Sequence, residues 1–194
     1  MNKIKNNKHY VDREIDSTLK KTLKVGDIVF VSPNSWWFKF VKYWTRDKWG
    51  HVAVITKVGK DIEILEALPK GIEINSLREH LIRHRDIKVY RFEDARKSKV
   101  SKFLSNAKSF IGKGYDFKSL LNFIVGKPKY RSKKRLFCSE LIYRALVGAK
   151  LLKHSEDADM VSPHDLRLLL ENVTINPLVI LFTKISFALT VKNK

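Results

Sequence analysis

One side chain in this sequence carries a thiol. Cys138 stands in the run Leu136-Phe137-Cys138-Ser139-Glu140-Leu141-Ile142-Tyr143. From residue 138 to about 150, Leu141, Ile142, Ala145, Leu146 and Ala149 recur at three- and four-residue spacing, which predicts an amphipathic helix with the cysteine in its first turn. There, unpaired backbone N–H groups and the positive end of the helix dipole favour the thiolate, the nucleophilic form. The bland fate of a free cysteine is burial as a small apolar side chain. A single cysteine forms no disulfide within its own chain, so the choice lies between those two.

A nucleophilic cysteine needs a base within hydrogen-bond reach and a third polar group to orient that base. The chain has 6 histidines. His9 lies in the polar N-terminal stretch and His154 in a polar loop. His80 and His84 are four apart on an expected helix, but Leu81 and Ile82 stand where a zinc-protease motif would carry its glutamate. With no further ligand near them they read as a solvated pair, and no metal is expected. His164, between Pro163 and Asp165 at an expected helix start, is an exposed rival for the base. His51 follows Gly50 and opens Val52-Ala53-Val54-Ile55, a strand apolar on both faces. An imidazole at the rim of a buried strand costs free energy unless something pairs with it, so it is either a satisfied core histidine or the base.

Strand parity supplies the third group. A tight turn at Gly59-Lys60 joins strands 51–58 and 61–68, and with Val58 opposite Asp61 residue 53 faces 66. Side chains alternate, so Glu66 then shares the side of His51 as its diagonal neighbour, within reach for a long side chain. Asp61 and Glu63 fall on the other side. A one-residue bulge would reverse this assignment.

The elements around these residues describe an α+β globule. Residues 1–24 read as a basic tail and 25–194 as one domain. Gly26-Asp27 opens a strand over 28–31, and Ser35 caps a helix to about 45 with Trp37, Phe40, Val41 and Trp44 on one face. Further strands are expected at 72–74 and 87–92, and a helical patch at 76–83. A helical stripe runs from Val100 to Ile111 and ends at Gly112 and Gly114, and Asp116 caps a short helix. Ser162-Pro163 starts another helix with Asp165 in its first turn, and 174–191 reads as β. No apolar leader follows the N-terminus, and the most apolar stretch, 178–191, is interrupted by Lys184 and too short to span a bilayer. A cytoplasmic protein with peripheral membrane contact fits that pattern.

The ordered set Gly26-Asp27, Gly50-His51-Val52-Ala53-Val54-Ile55, Ile64-Leu65-Glu66-Ala67, Gly114-Tyr115-Asp116-Phe117, Phe137-Cys138-Ser139-Glu140-Leu141 and Ser162-Pro163-His164-Asp165-Leu166 resembles the circularly permuted branch of the NlpC-type papain-like cysteine peptidases. The resemblance implies a permuted papain-like fold in which an antiparallel sheet packs against a cysteine-bearing helix. It also implies a nucleophile at Cys138, a base at His51 and an orienting carboxylate at Glu66. Relatives cleave amide bonds in cell-wall peptides, and others move acyl groups on lipids. This chain departs in carrying Trp49-Gly50 where a serine often precedes the histidine. The expected activity is a cysteine amidase or peptidase acting on small peptides through a thioester, with no cofactor.

Composition bears on the substrate. A formal charge of +19 attracts something acidic, and the densest cluster, Lys127, Lys129, Arg131, Lys133, Lys134 and Arg135, ends just before Cys138. The expected partner is therefore a small peptide or acyl-containing substrate with anionic groups. An anionic membrane surface is the second partner, as for a lipid acyltransferase or thioesterase using the same triad. A basic nucleic-acid binder is the third reading, resting on charge and aromatics alone. All 4 tryptophans fall just before His51. Trp36 and Trp49, with Tyr115, are the residues expected to line a substrate cleft, while Trp37 and Trp44 suit packing onto the sheet. Ser139 and Glu140 are expected to make helix-start hydrogen bonds or pair with a nearby cation.

Overall fold

The structure is a computed structural model, and it describes residues 17–32, 47–78, 86–92, 95–116, 135–154, 161–173, 178–182 and 187–191. The aromatic stretch that includes Trp36, Trp37 and Trp44 lies outside them, as do His9, His80, His84, most of the basic cluster and the helix expected after Asp116.

Among the described residues a mixed α and β arrangement is built on one sheet. Its strands are β1 (Ile28–Val31), β2 (His51–Val58), β3 (Ile62–Leu68), β4 (Gly71–Ser76), β5 (Asp86–Tyr90), β8 (Leu178–Phe182) and β9 (Phe187–Val191). They lie in the order β4-β3-β2-β1-β5-β8-β9, and every neighbouring pair is antiparallel. A short pair, β6 (Gly114–Tyr115) and β7 (Arg135–Leu136), runs parallel. It was not foreseen, because two residues carry no periodicity. Three helices follow the same chain order: α1 (Lys97–Lys108), α2 (Cys138–Gly148) and α3 (Pro163–Glu171).

Alternation along the central strands sorts their side chains into two apolar clusters. Ile28, Phe30, Val52, Val54, Leu65 and Ala67 pack with Phe103 of α1, Leu141, Ile142 and Ala145 of α2 and Leu166 of α3. Val29, Val31, Ala53, Ile55 and Ile64 pack with Leu77 and with Leu19 and Leu23. Those two leucines belong to a helical segment, residues 17–22, and its following turn. The apolar positions at the end of the 1–24 stretch therefore pack with the domain.

The Gly26-Asp27 pair has a local cause. Gly26 adopts φ +93°, and a Cβ there would stand 2.5 Å from Cγ1 of Val100, so only glycine fits without displacement. Asp27, buried, accepts from the Lys24 backbone N–H at 2.7 Å and from Nε and Nη2 of Arg91, each at 2.7 Å. That fork ties the start of β1 to the end of β5.

The β2–β3 register decides where Glu66 points. Ala53 pairs with Glu66, Val54 with Leu65 and Ile55 with Ile64, as parity required. Nearer the turn the pairing slips: Lys57 pairs with Glu63 and Val58 with Ile62, not with Asp61. The turn thus has one residue more than expected, Gly59-Lys60-Asp61, and a bulge at Thr56 on β2 absorbs it. The two irregularities cancel, and Glu66 stays on the His51 side.

Candidate active site

Cys138 is the first residue of α2. The preceding Phe137 is extended and its side chain makes no capping hydrogen bond, so no side-chain cap competes for the N–H groups of the first turn. The helix lies against β2 and β3. His51 is the first residue of β2, paired with Val31 on β1, whereas the β2–β3 ladder begins only at Ala53. The imidazole therefore stands at the rim of the sheet, and there it meets the thiol at the start of α2.

The structure brings the three sequence-predicted residues together. His51 Nε2 lies 2.7 Å from Glu66 Oε2. Cys138 is the other group close enough to act on the same imidazole. Burial alone would lower the imidazole pKa. The influence of Cys138, first through its charge, followed by the hydrogen bond and charge of Glu66, outweighs burial and pushes it from 6.5 up to about 10. His51 is therefore an imidazolium at neutral pH, held between two acidic groups. All three side chains are covered: Cys138 and His51 are each 2% exposed and Glu66 0%.

Sequence reasoning missed the residue behind the carboxylate. Asn75 on β4 donates from Nδ2 to Glu66 Oε1 at 3.0 Å, so one oxygen of Glu66 faces the base and the other is held by an amide. Asn75 pairs with Ile64, and a β4 long enough to reach it was the missing signal, since the expected strand ended at Ile74.

Tyr115 lies beside the thiol. Burial, then the charges of Cys138 and Asp116, hold its phenol well above the ordinary value, so it keeps its proton. Trp49 is nearly covered and belongs to the apolar cluster beneath the helices, with Lys48 Nζ 5.1 Å from its ring centre. Trp36 lies outside the described residues. Glu140 does pair with a cation, Arg144, at 2.7 Å. Among the described residues the buried Ser139 hydroxyl has no hydrogen-bond partner.

His164, the rival base, is engaged elsewhere. Its Nδ1 lies 2.9 Å from Asp47 Oδ2, which also accepts from Arg167 Nε at 2.7 Å. Arg167 Nη1 reaches Glu171 at 2.8 Å, and Glu171 accepts from Lys88 Nζ at 2.6 Å and the Tyr90 hydroxyl at 2.8 Å. Asp47 also accepts from the Trp49 backbone N–H at 3.2 Å. This network straps α3 to β5 and to the residues just before His51. The helix itself starts as its sequence required, with a reciprocal capping box between Ser162 and Asp165 and Pro163 in the first turn.

A histidine-bearing strand that precedes a cysteine-bearing helix is the papain order reversed. Residues 22–162 match the family described as permuted papain-like amidase enzymes, YaeF/YiiX, C92 family. The chain belongs to that family. Among solved structures it is similar to the crystal structure of metalloprotein yiiX from Escherichia coli O157:H7, at 18% identity and a TM-score of 0.56. That likeness covers 88% of this chain and 98% of the other. At such identity the likeness concerns the fold alone. Among curated proteins none matches.

The yiiX protein is described as a metalloprotein. Among the described residues of this permuted papain-like amidase, no three His, Cys, Asp or Glu side chains gather to hold a metal ion. Also among the described residues, no helix is long and apolar enough to cross a membrane.

Proposed function

We propose that this amidase hydrolyses amide bonds in small peptides through Cys138, His51 and Glu66, with peptidoglycan-derived peptides of the NlpC type as the substrate class. The observation that carries the reading is one imidazole shared by a thiol and a buried carboxylate.

The chemistry is acyl transfer. The Cys138 thiolate attacks the scissile carbonyl carbon, and the carbonyl electrons move onto oxygen. That oxyanion is met by the backbone N–H of Cys138, one of the donors a helix start leaves unpaired. The Tyr115 hydroxyl, protonated beside the thiol, borders the same cleft. The His51 imidazolium gives its proton to the leaving nitrogen, the C–N bond breaks, and a thioester remains. Water then attacks the thioester, His51 takes its proton, and the thiolate leaves with the free acid. Glu66 keeps the ring in one orientation and supports its positive form.

Because Cys138 is 2% exposed, the sulfur must still be reachable by a reagent in the folded protein. Folded wild type is expected to react with iodoacetamide at a single site, Cys138, read by peptide mass. It is also expected to release amine from short peptide amides. Cys138→Ala abolishes both, and His51→Ala abolishes turnover. Labelling seen only after denaturation, or turnover that survives Cys138→Ala, would refute the reading.

A further inference from the structure

Away from the triad, the C-terminal end of α2, the turn after it and α3 enclose a cleft of about 810 Å³. Its size falls in the range of about 300–1,000 Å³ typical of small-molecule sites. The apolar wall includes Val147, Leu151 and Leu169, and the rim carries Lys150, Lys153 and His154. Lys150, Lys153 and His154 are all exposed. Cys138 lies at the opposite end of the same 11-residue helix. At 1.5 Å per residue that is about 15 Å away.

A second observation concerns the rim. Lys150 has φ +58° and is the one non-glycine residue with positive φ among those described. It follows the last turn of α2 in a Schellman closure: Lys150 N–H donates to Val147 O at 2.9 Å and Leu151 N–H to Leu146 O at 3.0 Å. Glycine is the ordinary residue at that position because a Cβ is strained there. The chain instead keeps a long cation at the mouth of an apolar cleft, at a cost to its own stability.

We propose that this cleft binds a long-chain fatty carboxylate as a single molecule, its chain against Val147, Leu151 and Leu169 and its carboxylate at Lys150 and Lys153. Charge complementarity selects the head, and the apolar wall selects the tail. The site is separate from the thiol and does not depend on the amidase reading, so Cys138→Ala is expected to bind the ligand unchanged.

The test titrates full-length protein with monomeric laurate by calorimetry. One laurate per chain is expected to bind, acetate is expected not to compete, and uncharged 1-dodecanol is expected to bind at least about tenfold more weakly. Lys150→Gly is expected to hold or raise the thermal midpoint while weakening laurate at least about threefold. The combination of Lys150→Gly, Lys153→Ser and His154→Ser is expected to weaken it at least about tenfold. Equal affinity for laurate and dodecanol, laurate binding unchanged in the triple variant, or association only with vesicles of anionic lipid and not with monomeric laurate would overturn the proposal. So would a lowered midpoint in Lys150→Gly.

Discussion

His51 sets the pH behaviour of the site. Its folded pKa, about 10, lies above the ordinary 6.5 because Cys138 and Glu66 outweigh burial. A raised pKa means that the stabilisation from its charge is fully present below 6.5 and is lost as pH rises through about 10. In the proposed mechanism this imidazolium protonates the leaving amine, so the alkaline fall in turnover is expected near 10, read from initial rates against pH. Removing the carboxylate charge should move that limb. Glu66→Gln keeps the size of the side chain but takes away one of the two favourable charges and one of its two acceptor oxygens. The limb is expected to shift down by roughly one to three pH units, the effect of one close opposite charge. Asn75→Ala frees Glu66 Oε1 without touching the charge. It is expected to reduce turnover while leaving the limb near its wild-type position, because Asn75 orients the carboxylate and does not contribute to the charge balance. A limb that moves as far in Asn75→Ala as in Glu66→Gln would contradict that division.

At the level of elements, the strap from α3 to the residues before β2 decides acid stability. Burial opposes the ionised forms of Asp47 and Glu171. Hydrogen bonds from Arg167 and His164 to Asp47, and from Lys88 and Tyr90 to Glu171, prevail and hold both carboxyls below their ordinary values. A depressed pKa contributes stability that is present above the ordinary value and lost as pH falls, so the thermal midpoint is expected to drop below about pH 4.5. Arg167→Ala removes the cation common to both carboxylates. It is expected to cost about 1.5–3 kcal/mol, the range for hydrogen bonds to charged groups, and to flatten that acid slope in a calorimetric scan. None of this strap was visible in the sequence, since Asp47 and Arg167 are joined only by the fold. The juxtaposition of Cys138, His51 and Glu66 was legible for a local reason: Cys138 announces its helix by spacing, and His51 and Glu66 are linked by the parity of one hairpin. Even there the match was partly fortuitous, because the extra turn residue and the bulge at Thr56 cancel and neither is written in the apolar pattern. The parallel β6–β7 pair, which leads into Cys138, was illegible because its two segments are two residues each and far apart in the chain.

Over the whole molecule, the charge of +19 has two physical readings, and they predict different salt behaviour. If it steers an anionic peptide toward the thiol, screening slows encounter and weakens binding but leaves the bond-making steps alone, since the groups at the thiol are buried and little screened. Raising salt from about 0.05 to about 0.5 M shortens the Debye length from roughly 14 to 4 Å. Over that range KM for an anionic peptide amide is expected to rise severalfold with kcat nearly constant, and a neutral peptide amide is expected to show neither change. If instead the charge serves a nucleic-acid partner, polyanion affinity falls steeply with salt, but turnover of either peptide is indifferent to it, and Cys138→Ala leaves the polyanion affinity intact. Parallel steady-state kinetics on the two peptides separates these cases. A KM that is flat with salt for the anionic peptide would detach the charge from catalysis and leave it to another partner.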